Sequence, residues 1–256
     1  VKKDRPFAKE SELCAAFLAL LPENWTPYAE TAGWDILLVR KADGAQIGIE
    51  AKLRLNAEVL SQALEEWCFG ESPGPDYRAV LVPYDDAGGF YRIADYVGVT
   101  VIRVGRDVPG RRDVPRFCFE PKLPSGKRED GWQERGWHEW SPVNRHKLPE
   151  YVPDVAAGAS APLQLTEWKI GALKIAYILE RRGYVTRDDF RSVGIDHRRW
   201  MAPWPGWLVS DERGWVRGSM PDFKAQHPIV FEKIAADAER WYKERPGDPS
   251  LFGAAA

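Results

Sequence analysis

From Glu10 onward, Leu13, Cys14, Phe17, Leu20 and Leu21 recur at helical spacing until Pro22 and Asn24 interrupt them, which predicts a first helix. A short extended piece follows around residues 25–29. Asp35-Ile36-Leu37-Leu38-Val39 is a compact apolar run of the length of a buried strand. After the turn Ala42-Asp43-Gly44, residues 46–52 alternate with period two, placing Ile47, Ile49 and Ala51 on one face and Gly48, Glu50 and Lys52 on the other. The two runs and their turn read as a hairpin. Asn56 is positioned to cap a helix carrying Val59, Leu60, Ala63, Leu64 and Trp67, ended by residues 70–75. Residues 79–83 form another buried strand, 90–97 a short helix and 100–104 a last strand. The order helix, three strands, helix, strand, helix, strand predicts an α/β unit with a mixed β-sheet flanked by helices.

Periodicity then stops. Residues 106–162 are rich in proline and scattered charge, and read as a linker or wrapping segment, although Trp132, Trp137 and Trp140 argue against full disorder. From residue 163 a second, mainly α unit begins. Residues 166–180 are apolar nearly all round, as in a central helix, and Gly183 stops them. Thr186-Arg187-Asp188-Asp189 fits a capping box, and Asp196 is placed to cap a third helix through Met201. Residues 207–210 and 215–217 flank the turn 211–214 as a second hairpin, and 229–243 reads as a closing amphipathic helix. Three helices followed by a hairpin are winged-helix-like in order. The division expected is therefore 1–105, 106–162 and 163–256.

With 44% hydrophobic and 29% charged residues, the 256-residue chain has the side chains for a real core, which excludes a fibre or a wholly disordered chain. No apolar run is long enough to span a bilayer, and no signal-peptide core follows the start, so no membrane partner and a cytoplasmic location are expected. Three widely separated cysteines, with no Cys-x-x-Cys, give no support to a disulfide framework or a zinc site. Thirty-six basic against 38 acidic residues leave a net charge of −2, so a nucleic-acid partner would have to be met by local positive charge.

An acidic residue, any residue and lysine occur in that order at Glu50/Lys52, Glu120/Lys122, Glu167/Lys169 and Asp222/Lys224, and only the first lies in an apolar strand. Burying a carboxylate and an ammonium there costs several kcal/mol per ion unless they are paired or bind a metal. Asp35 starts the strand that the hairpin folds against Glu50. Two neighbouring carboxylates invite a cation, and oxygen-only ligands favour Mg²⁺ or Mn²⁺. A lysine beside them can orient a water attacking a phosphodiester.

On these residues, Asp35 followed after fourteen positions by Glu50-Ala51-Lys52, in the element order above, residues 7–105 resemble the PD-(D/E)xK nuclease superfamily, whose core is restriction-endonuclease-like. The resemblance implies that Asp35 and Glu50 hold Mg²⁺ (or Mn²⁺) and that Lys52 serves the water. It also implies a Glu from the first helix, best matched by Glu10 with Glu12 second, and a Gln in the helix after the lysine, matched by Gln62. Glu30, just ahead of Asp35, is a further candidate to face the site. Trp34, rather than proline, precedes Asp35.

In the second unit, Arg198 and Arg199 on the third helix and Arg213 and Arg217 on the hairpin are the expected phosphate contacts, with Lys169, Lys174, Arg181, Arg182, Arg187 and Arg191 adding positive charge. The tryptophans around Trp200, Trp204 and Trp207 read as packing between helix and wing. The function expected is metal-dependent hydrolysis of phosphodiester bonds, with DNA as partner, RNA as an alternative and a homo-oligomer left open. The rival reading is a nucleic-acid-binding or regulatory winged-helix protein with an inactive nuclease-like domain.

Overall fold

The computed structural model describes residues 6–65, 72–84, 89–106, 117–126, 136–159, 163–201 and 206–243. Expectations placed on Trp67, Cys68, Trp132 and Trp204 lie outside them. The chain divides into two compact units, Val1–Leu148 with Val155–Gln164, and Pro149–Asp154 with Leu165–Ala256.

The first unit runs α1 (Glu10–Leu18), β1 (Trp25–Thr31), β2 (Trp34–Arg40), β3 (Gln46–Ala51), α2 (Ala57–Leu64), β4 (Tyr77–Pro83), α3 (Tyr91–Tyr96), β5 (Thr100–Arg106) and β6 (Phe117–Glu120). Among the described residues its six strands form one mixed sheet in the order β1-β2-β3-β4-β5-β6. β3, β4 and β5 are parallel, and the other neighbours are antiparallel. Period-two alternation sorts the strand residues between two cores. Ile36, Leu38, Ile47, Ile49 and Ala51 pack with Leu13, Cys14 and Phe17 of α1. Leu37, Val80 and Val82 pack with Val59, Leu60 and Ala63 of α2 and Ala94 of α3. Each large apolar side chain fully buried in this way contributes roughly 1.5–3 kcal/mol. The Asn56 side chain accepts the Val59 amide at 2.9 Å and so starts α2 where the sequence places it.

The stretch expected to link the units is largely part of the first one. β6 extends the sheet beside β5. The Trp137 indole donates to the Lys122 carbonyl at 2.8 Å, and the Trp140 indole to the Gly98 carbonyl at 3.1 Å. The Trp34 indole meets His146 Nε2 at 3.2 Å. A four-residue strand amid prolines is too short to leave a periodic signal, which is why the sequence shows it as irregular.

The second unit contains α4 (Glu167–Arg182), α5 (Arg187–Ser192), α6 (Arg198–Met201), the hairpin β7 (Leu208–Asp211) and β8 (Gly214–Arg217), then α7 (Phe223–Gln226), α8 (Pro228–Ala236) and α9 (Ala238–Trp241). The capping box at Thr186 and Asp189 is present, and Gly183 closes α4 at φ 85°. The closing helix expected over 229–243 breaks at Asp237. Trp200, fully buried, packs against Trp168, Trp207, Phe190 and Phe223, so these rings are core. Residues 149–154 join this unit through Asp154. Its carboxylate takes the Ile229 and Val230 amides at 2.8 and 3.1 Å and lies 2.9 Å from His227 Nδ1. Among the described residues no helix is long and apolar enough to cross a membrane.

Candidate active site

The site begins at the β1–β2 hairpin tip. Pairing of Thr31 with Trp34 leaves Ala32 and Gly33 as a two-residue turn, with φ 55° and 86°. Two successive positive φ values match the twist of the flanking strands, at a cost of roughly 1–2 kcal/mol for a non-glycine residue such as Ala32. Glu30 is also left-handed, at φ 49°. It stands with Asp35 between the paired positions Ala29↔Ile36 and Thr31↔Trp34.

This end of the hairpin departs from strict alternation. Trp34 should share a face with Ile36 and Leu38, yet it lies with Leu37 in the core beneath α2. Its ring covers Gly48, where a Cβ would come within 2.3 Å of Trp34 Cε2, so only glycine fits there. Glu30 turns the other way. Its Oε1 accepts the amides of Gly158 and Ala159 at 2.8 and 3.3 Å, and Gly158 lies over Cys14 and the backbone of Glu10 at the start of α1.

β2 and β3 separate here. Their pairing ends at Ile36↔Ile49, and Asp35 Oδ2 fills the gap by accepting the Ala51 amide at 2.8 Å. β3 ends one residue short of the expected strand, and Lys52 N–H goes to the Leu81 carbonyl of β4 at 2.9 Å. Lys52 Nζ lies 3.7 Å from Glu10 Oε1, both side chains partly exposed. On the α2 side, Glu50, Gln62 and Glu65 line a cavity of about 180 Å³ with Ala32, Gly33 and Trp34. All of this sits at the carboxyl ends of the parallel strands, where open α/β sheets bind ligands.

Three carboxyl groups are crowded together at this end. Burial first, then the Asp35 and Glu30 carboxylates, push Glu50 up to about 8, against the pull of Lys52. Burial also raises Asp35, opposed by the Ala51 hydrogen bond and Lys52. Glu30 is raised by burial and by Asp35, opposed by its two amide partners. A carboxyl raised in the folded state holds a proton that the unfolded chain has lost. Its stabilising contribution is therefore present below its ordinary value and lost as pH rises through the folded value. Without divalent cations, stability is expected to fall from pH 5 to above 8 by on the order of 2–4 kcal/mol, and Glu50→Gln to remove most of that slope. Urea unfolding in EDTA at stepped pH checks this; an unchanged slope in the variant would mean that Glu50 ionises normally.

Of the residues singled out in sequence, Glu10 and Lys52 are paired, Asp35 is tied to the residue between Glu50 and Lys52, and Gln62 shares a cavity with Glu50. Glu12 accepts the Ala8 amide at 2.8 Å instead. The anchoring of Glu30 by residues 158 and 159 had no sequence signal, because the partner is 128 positions away. In the second unit Arg198, Arg199, Arg213 and Arg217 are exposed, with Arg213 beside Asp211 and over the Tyr184 ring. Arg182, expected to add surface charge, is instead buried against Asp189. Lys174 pairs with Glu150 at 2.7 Å and Lys169 with Gln226 at 2.8 Å.

Asp35 and Glu50 are the carboxylates that could hold a cation at this end of the sheet. Among the described residues no group of three or more His, Cys, Asp and Glu side chains is gathered for one. The donor chemistry nonetheless fits Mg²⁺, which keeps several waters and is usually bound through one or two carboxylates, and a divalent ion would offset the mutual repulsion of Asp35 and Glu50 once both are ionised. Compared with known proteins, the chain matches no family model, no curated protein and no solved structure.

Proposed function

We propose that this protein is a metal-dependent nuclease of the PD-(D/E)xK type that hydrolyses phosphodiester bonds in DNA. The observation that carries the reading is the parting of β2 and β3, which sets Asp35, Glu50 and Lys52 around one sheet end. In this reading Asp35 and Glu50 hold Mg²⁺ or Mn²⁺, which when bound stabilises charge developing on the phosphate. Lys52 orients the attacking water, Glu10 steadies the lysine through their ion pair, and Gln62 contacts substrate or water from the cavity. The second unit serves as a winged-helix-like module. Supporting this are α4–α6 followed by the β7–β8 hairpin, an added bridge between Val185 and Trp215, and the exposed arginines Arg198, Arg199, Arg213 and Arg217.

Incubation of the whole protein with plasmid and linear DNA is expected to give cleavage with Mg²⁺ or Mn²⁺ and none with EDTA. Failure to cut any DNA form under either metal would overturn the proposal. The lack of a three-donor group among the described residues favours one other reading, a protein that binds nucleic acid without cutting it. Retention of DNA with no Mn²⁺ binding would select that reading.

A further inference from the structure

Glu30 is held by a loop from a distant part of the chain, and its backbone is held in a conformation that a non-glycine residue adopts only when its surroundings demand it. The left-handed φ turns its carboxylate toward α1, while Trp34 turns toward α2. Asp35 stands opposite Glu30 in the hairpin register and directly after Trp34. The loop that receives Glu30 is itself specialised: Gly158 has φ 68°, and a Cβ there would stand 2.9 Å from Cys14 Sγ and 3.2 Å from the Glu10 carbonyl carbon. One short loop therefore rests on the helix start that carries Glu10 and clasps the strand that precedes Asp35.

We propose that Glu30 is a positioning residue of the carboxylate site. By accepting the Gly158 and Ala159 amides, it locks the rotated hairpin end so that Asp35 meets the Ala51 amide and lies beside Glu50. The proposal rests on the nuclease reading for its effect on catalysis, but the clasp itself has a readout independent of cleavage. Glu30 acts through hydrogen bonds it accepts, and a glutamine Oε1 can accept the same two; an alanine can accept neither. The two substitutions thus separate positioning from charge.

The test compares Glu30→Gln and Glu30→Ala in the full chain, well below the unfolding midpoint of each. Cys14 is buried beneath the loop, so its alkylation rate, followed by peptide mass spectrometry, reports release of the loop. Expected for Glu30→Ala are at least tenfold faster labelling of Cys14 and at least tenfold lower kcat for DNA cleavage with little change in KM. Glu30→Gln should restore protection of Cys14 and most of kcat. Unchanged labelling and kcat in Glu30→Ala would overturn the proposal. So would a Glu30→Gln variant with Cys14 still protected but kcat as low as in Glu30→Ala, since the charge and not the clasp would then matter. Should the wild-type chain cut no DNA, the nuclease reading fails separately, and the clasp stands or falls on Cys14 labelling alone.

Discussion

Lys52→Ala is expected to slow DNA cleavage by about 10²–10⁴-fold, the usual range for losing a group that handles a proton or positions the nucleophile. It should do so with almost no change in stability, because the ion pair with Glu10 is partly exposed and long at 3.7 Å, and such pairs contribute about 0–1 kcal/mol. That separation makes lysine the most informative position in the site. Asp35→Ala is a poorer probe, since it also leaves the Ala51 amide without its acceptor, at a cost of roughly 1–3 kcal/mol. Asp35→Asn keeps an oxygen for that amide and removes the charge, so it should abolish metal-dependent cleavage while preserving the fold. Rates are read under saturating Mg²⁺ alongside thermal unfolding of each variant. A Lys52→Ala enzyme that cuts at the wild-type rate would remove lysine from the mechanism.

The largest stability effect is expected in the second unit, where Asp189→Ala should cost about 3–5 kcal/mol. Arg182 and Asp189 are fully buried and directly paired. The arginine also donates to the Tyr184 carbonyl at 3.1 Å and to the Tyr242 hydroxyl at 3.0 Å. Asp189 accepts the Thr186 amide at 2.7 Å and its hydroxyl at 2.9 Å. Removing the carboxylate strands a guanidinium in the core and dismantles the capping box of α5 together. Fluorescence of the Trp168, Trp200 and Trp207 cluster during urea unfolding follows this unit. A loss below about 1 kcal/mol would show that water reaches the arginine and solvates it.

What could be read from the sequence was set by local forces. The alternation of Ile47, Ile49 and Ala51 against Gly48 and Glu50 places the two faces of β3 where the cores have them, because side-chain direction in a strand depends only on position. Asn56 accepts the amide three residues on, and Thr186 and Asp189 form the expected capping box, each marking a helix start for the same local reason. Asp35 and the residues from Glu50 to Lys52 stand out as charges in apolar runs, and the hairpin register gathers them. The rotation at Glu30 and Trp34 was hidden, since it depends on a φ value that no residue type announces and on a loop far along the chain. Arg182 looked like surface charge because its partners, Asp189 and Tyr242, meet it only after α4, α5 and the residue following α9 pack together. The break at Asp237 likewise falls inside an unbroken helical pattern.

The path of residues 149–164 has a practical consequence for dissecting the molecule. Because 149–154 belong with the later residues and 155–164 return to the earlier ones, no single cut separates two intact halves. A fragment beginning at residue 163 would lack Asp154, stripping His227 and the first amides of α8 of their acceptor. A fragment ending at residue 148 would lack the loop that clasps Glu30. Recombinant halves of this protein should therefore be made to overlap, each carrying the whole of residues 149–164.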